Sequence, residues 1–284
     1  MGFLSRLPAK AAVLLGGLFL GQATYAHHVA ENVKSYTLGV VPQFEQRKLF
    51  QIWQPIVDEL EKRTGLAIHL RGSPRIPEFE KSFIAGEYDF AYMNPFHSLR
   101  ASASQGYMPL IRDGARELYG VLVVRRDSDI ESIADLDGKR IAFPAPNALG
   151  ASLMIRADLD RKHSIKFVPS YVQTHSSVYL NVALKQVQAG GGVMSTLRAQ
   201  RAELSDKLRV LYETQRIAPH PISAHPRVPE EDRRAVQQAL LNMSKEPAGQ
   251  KLLNAIPIRE AVKADFSDYE IMLDWGLDDY WVSH

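Results

Sequence analysis

The sequence contains no cysteine. That excludes disulfides, thiolate metal sites and a lipid anchor on cysteine, so an exported chain of this kind must be held by its core alone. Long hydrophobic runs are also missing. The longest apolar stretch, Ala11 to Leu20, falls well short of the roughly 20 residues a membrane-spanning helix needs. Charge of one sign is equally scarce, with 34 basic and 32 acidic residues. No basic surplus of the kind that binds nucleic acid is present, and none is expected to be bound.

The first 26 residues carry Arg6 and Lys10, then the apolar run, then small residues up to Ala26. This is the layout of a secretory signal peptide, with cleavage expected near Ala26 and export to the periplasm. The leader holds two basic and no acidic residues, so the chain without it is neutral. About 258 residues remain, enough for one large α/β domain or two lobes with separate cores.

Tyr36 to Val41 reads as a strand. Phe50, Trp53, Ile56, Val57 and Leu60 then recur at helical spacing up to Gly65, a helix stop. The alternation continues with strand 66–70, helix 79–85, strand 88–93 and helix 95–103. From Leu118 a second α/β series begins: strands 119–124 and 140–143, helix 150–159, strand 166–171, helix 176–186, a short 190–193 segment, helix 195–204 and strand 208–212. Strands alternating with helices predict mostly parallel α/β sheets. A proline-rich passage, Pro219 to Pro229, leads to helices at 233–243 and 247–254 and an aromatic tail, Tyr269 to Tyr280.

Two stretches run alike from a helix end through a short strand into Leu-Arg-Ala: residues 85–101 and 185–199. Two similar lobes would place both strand-to-helix turns at the carboxyl ends of strands, where open α/β sheets form their ligand crevice. Four stretches in order resemble the phosphate/phosphite/phosphonate-binding family of ABC transporters, whose fold is that of type II periplasmic binding proteins. They are Gly39-Val-Val-Pro42 with the Trp53 to Gly65 helix, Ala85 to Ala91, Ile133 to Phe143, and Thr174-His-Ser-Ser177 leading into Val182. The resemblance implies a two-lobed α/β fold whose hinge is crossed twice, with lobe one from 34–117 plus 218–284 and lobe two from 118–217. It also implies a monomer without cofactor or metal, which passes a small anionic ligand to a membrane permease. A sensor kinase or cyclase could read the same closure.

In that family an oxyanion is held by hydroxyls and by N–H groups at helix starts. The matching loop here has Asn147-Ala148-Leu149 before Gly150 where the family has a Ser-Thr-Ser-Gly-like run, so two or three hydroxyl donors are missing. The family's acidic contact on the lobe-two strand becomes Gln188, and a triple glycine, Gly190 to Gly192, follows it. Glycine lets a backbone approach a ligand closely, which makes Gly191 a candidate contact, or else marks a tight crossing within the lobe. His175 with Ser176 and Ser177 forms a candidate anion seat at a helix start, unless Thr174 or Ser176 merely caps the helix. In lobe one, Gln43, Phe44, Tyr92, Asn94 and His97 follow the first and third strands and are candidates to orient or enclose the ligand.

The weaker signals point elsewhere. His220 and His225 flank prolines and read as a solvated loop, and His27 with His28 is a poor copper site. The aromatic tail reads as a terminal helix packed on its lobe, or as a docking face for a membrane partner. A periplasmic hydrolase using His175 with Ser176 or Ser177 is the rival class. Against it, the chain has no Gly-x-Ser-x-Gly elbow, no His-Glu-x-x-His and no cysteine, so a binding protein is expected and not an enzyme.

Overall fold

The computed structural model describes residues 34–283. The expected leader, its cleavage point and the His27–His28 pair lie outside the described residues.

The first strand β1 (Ser35–Val40) leads into helix α1 (Gln46–Thr64), which ends on Gly65 at φ +70°. Trp53, Ile56, Val57 and Leu60 point inward from α1 as expected, but Phe50 is exposed at the helix surface and Leu49 takes the inward place one residue earlier. There follow β2 (Ala67–Gly72), α2 (Ile76–Ile84), β3 (Phe90–Tyr92), α3 (Pro95–Gln105) and β4 (Met108–Asp113). The next series is β5 (Gly120–Arg125), β6 (Arg140–Phe143), a π-turn (Leu149–Leu153) running straight into α4 (Met154–Arg161), then β7 (Val168–Tyr171), α5 (His175–Ala183) and β8 (Ala189–Val193). After α6 (Met194–Arg198), α7 (Ala202–Ser205) and β9 (Leu208–Glu213) come β10 (Ile222–Ala224), α8 (Glu230–Met243), α9 (Pro247–Leu253) and β11 (Ala261–Lys263).

These strands form two sheets, ordered β11-β4-β10-β3-β1-β2 and β7-β6-β8-β5-β9. In the first, β1 pairs in parallel with β2 and β3, and β10 returns antiparallel between β3 and β4. In the second, β6 pairs in parallel with β7 and β8, while β5 runs antiparallel to β8 and β9. The chain leaves the first sheet after β4 and rejoins it at β10. At that double crossing Leu118 and Ile217 face each other antiparallel, their N–H and C=O groups exchanged at 2.8 and 3.0 Å.

Several elements differ from the sequence reading. The segment 190–193 is the central strand of the second sheet. The expected 195–204 helix breaks into α6 and α7, and the aromatic tail forms short 3₁₀ turns, Phe266–Asp268, Glu270–Trp275 and Leu277–Tyr280, in place of one helix. Among the described residues no helix is long and apolar enough to cross a membrane.

Candidate functional site

The carboxyl ends of the parallel strands of both sheets meet across one small cavity of about 20 Å³. Gln43 arrives from the loop after β1, Asn94 from the end of β3, His175 from the segment after β7 and Val193 from the end of β8. His220 enters from the residues before β10, whose antiparallel course brings its amino end to the same edge. Opposite them, Ala148 to Ala151 open the helical run that continues through α4. The first hydrogen bonds of that run are Ser152 N and Leu153 N to Ala148 O, so the N–H groups of Leu149, Gly150 and Ala151 precede any carbonyl that could take them. No side chain caps this start. The donors on offer are therefore backbone amides with the positive end of the helix dipole behind them.

The histidines add hydrogen-bonding capacity without charge. Burial pushes His175 down to about 4 and His220 down to about 3, so both are neutral at pH 7. His175 is fixed through Nδ1 by the Thr196 hydroxyl at 3.1 Å. His220 stacks on Tyr92 with ring centroids 5.3 Å apart and lies 3.3 Å from Gln43 Nε2. With the amide nitrogen facing the ring, Gln43 donates and His220 Nε2 accepts, which is possible only for a neutral imidazole.

Asn94 has two tasks. Its Oδ1 accepts from His97 N and so caps α3, while Nδ2 donates to Asn147 O at 3.3 Å across the cleft between the sheets. It thereby fixes the approach of the 147–151 segment to the first sheet.

Of the residues singled out from the sequence, the structure brings Gln43, Asn94, Ala148 and His175 to the cavity wall. Phe44 stands beside it in a wider cleft, its ring under Lys48 Nζ at 4.0 Å. Tyr92 lies beneath His220 and against Trp53, a packing support and not a wall residue. The Asn147 side chain turns away, donating to Glu80 at 2.9 Å and to Val282 O at 2.7 Å, and accepting from Val282 N. His97 is fully buried between the rings of Phe83 and Trp281, with Nε2 3.0 Å from Glu80. Thr174 caps α5 by accepting from Ser177 N, and its hydroxyl also holds the Ser177 hydroxyl, so Ser177 is spent on the cap. Ser176 does not reach the cavity wall.

Two further candidates do not line the cavity. Gln188 lies at the amino end of β8, where its backbone and side chain bind Arg140 at the far edge of the sheet from the cavity. Gly191 is covered by protein: a Cβ there would stand 2.0 Å from Ala151 O and 2.7 Å from the Phe143 ring. The triple glycine thus serves a close crossing of protein on protein. His220, read from sequence as a loop residue, is 8% exposed and belongs to the cavity.

The C-terminal segment spans the same junction from one side. Trp281 and Asp278 engage Arg100 of α3, Arg161 of α4 donates to Trp275 O, Gly276 O and Asp279, and Arg156 donates to Tyr280 O. Together with the Asn147–Val282 pair, this ties the α3 side of the first sheet to the α4 side of the second.

The model of the family described as the ABC-transporter phosphonate periplasmic substrate-binding protein matches residues 38–269. A phosphonates-binding periplasmic protein of Escherichia coli K12 is 22% identical over 243 residues, 81% of this chain and 72% of that protein. A phosphate-import protein of Mycolicibacterium smegmatis is 27% identical over 183 residues, 62% of this chain and 54% of that protein. Among solved structures, a Prochlorococcus marinus protein in complex with methylphosphonate superposes with a TM-score of 0.80 at 14% identity, covering 88% of this chain and 100% of the other. A Pseudomonas aeruginosa binding component of an ABC phosphonate transporter gives 0.78 at 15% identity, with 86% of each chain covered.

Proposed function

This chain belongs to the periplasmic substrate-binding proteins of phosphonate ABC transporters, and from that membership we propose that it captures a small oxyanion or carboxylate between two lobes and hands it to a membrane permease. The lobes of this reading are residues 34–117 with 218–284, and residues 118–217. The observation that carries it is the cavity where the strand ends of both sheets converge, walled on one side by the free amides of Leu149 to Ala151 and on the other by Gln43, Asn94 and His220.

The seat is neutral, so affinity rests on amide dipoles and on hydrogen bonds to charged oxygens, each contributing about 1.5–3 kcal/mol. At about 20 Å³ the cavity accommodates roughly one water molecule. The solute therefore enters when the lobes part, and the described arrangement is the closed one. The surroundings of His175 support binding over catalysis. The hydroxyl on its Nδ1, that of Thr196, is buried and committed to Val193 O and to the Tyr179 hydroxyl, and neighbouring Ser177 is engaged by Thr174, so neither hydroxyl is offered to a substrate as a nucleophile.

A thermal-denaturation screen with methylphosphonate, phosphite, phosphate, sulfate and small carboxylates tests this reading. A true ligand at 100 times its Kd adds about 2.7 kcal/mol of stability, and at least one class is expected to raise Tm accordingly. A flat response to every anion would refute the capture of a small oxyanion or carboxylate.

A further inference from the structure

Beside the small cavity, and sharing Gln43 and Val193 with it, opens a cleft of about 710 Å³. Its walls carry four arginines from four separate segments: Arg116 and Arg216 at the double crossing, Arg198 on α6 and Arg259 before β11. Glu117 is the one carboxylate among the wall residues, and it lies 3.9 Å from Arg216. Among the described residues no carboxylate pairs with the guanidinium of Arg198 or Arg259. Arg116 is part-buried, and its Nε is shut off from solvent without a hydrogen-bond partner, because Asp113 Oδ2 at 3.4 Å is not aligned to accept. Burial holds Arg116 below the usual arginine range, and the charges of Arg259 and Arg198 push the same way.

Arg216 is balanced by Glu213 at 3.2 Å as well as by Glu117, and Arg116 by Asp113, so the charge left without a carboxylate partner is that of Arg198 and Arg259, whose like sign costs stability beside the other two. An incoming anion would turn that cost into binding energy, and the planar guanidinium fork suits carboxylate and phosphoryl oxygens. The adjoining amide and histidine seat holds about one water molecule in the described arrangement, so even a compact head takes its place there only as the lobes part.

Resting on the capture function proposed above, we propose that the solute is a two-ended anion: a compact phosphonate-like head in the amide and histidine seat, and a second anionic group on a short organic arm received by Arg116, Arg198 and Arg259. A cationic arm, such as that of an aminoalkylphosphonate, is disfavoured by the same charges.

Isothermal titration of phosphonocarboxylates with arms of one to three methylenes, against alkylphosphonates of the same length, tests this in the native chain and in an Arg198→Ala/Arg259→Ala variant. Both arginines are exposed and unpaired, so the variant is expected to fold with an unchanged or higher melting temperature. In the native chain the best phosphonocarboxylate should bind at least tenfold tighter than its alkyl counterpart, with the preference shrinking as salt rises. The variant should lose that preference and keep its affinity for alkylphosphonates. Equal affinities in the native chain, or a variant that keeps the full preference, would overturn the two-ended ligand while leaving capture intact. If neither series binds at all, phosphonate capture itself fails and the two-ended ligand with it.

Discussion

His175 and His220 are where acid should act first on this molecule. The ordinary imidazole value is 6.5, and burial lowers it to about 4 and about 3 in the fold. The unfolded chain takes up these protons first as pH falls. The stability gained by keeping the rings neutral is therefore complete above about pH 6.5 and is lost on acidification, down to about 4 for His175 and about 3 for His220. For His175 alone this is on the order of 3 kcal/mol. Melting curves between pH 7.5 and 4.5 should show the native chain losing more stability on acidification than a His175→Gln/His220→Gln variant. Parallel profiles would mean that the rings are solvated in both states. His220 was not legible in the sequence because nothing local reveals that a proline-flanked histidine precedes a strand inserted between β3 and β4. The four arginines were hidden for a related reason, since residues 116, 198, 216 and 259 meet only through the double crossing and the α6 turn.

Strands and helices with clear periodicity were readable, and α1, ending on Gly65 with Trp53, Ile56, Val57 and Leu60 inward, is the plainest case, although Leu49 and not Phe50 completes its buried face. Three strands of the first sheet were not. β4 contains Pro109, while β10 and β11 have three residues each, too few to show an alternation. The triple glycine was legible as a place of close approach, but its partners were not, because Ala151 O, Val178 and the Tyr179 hydroxyl come from other elements. Those partners make a sharp prediction. In Gly191→Ala the new Cβ would stand 2.0 Å from Ala151 O, a backbone atom that cannot swing aside, so the 149–153 turn must lift off β8. A loss of more than about 3 kcal/mol in denaturant unfolding is expected, together with weakened anion binding. A change under about 1 kcal/mol would show that this turn is not pinned to the strand.

Taken whole, the molecule is two sheets whose strand ends face one another and which two covalent crossings and a C-terminal strap hold together. Buried residues of the 145–157 segment belong to the same hydrophobic cluster as the first sheet's core, so closure buries apolar surface as well as the polar seat. The motifs that carried the family resemblance were readable because each lies within one short continuous stretch of chain joining neighbouring elements. The contacts that join the two sheets and the strap were not, since they depend on pairs such as Asn147–Val282 and Arg161–Asp279, which are more than 100 positions apart. The central claim is that a solute is trapped between moving halves, and the absence of cysteine makes it directly measurable. Spin labels can be placed at Lys81→Cys on α2 and Lys166→Cys near β7, both exposed. Adding an anion shown by calorimetry to bind should shift the label-to-label distance distribution shorter and narrow it, whereas an identical distribution with and without the bound anion would contradict capture by closure.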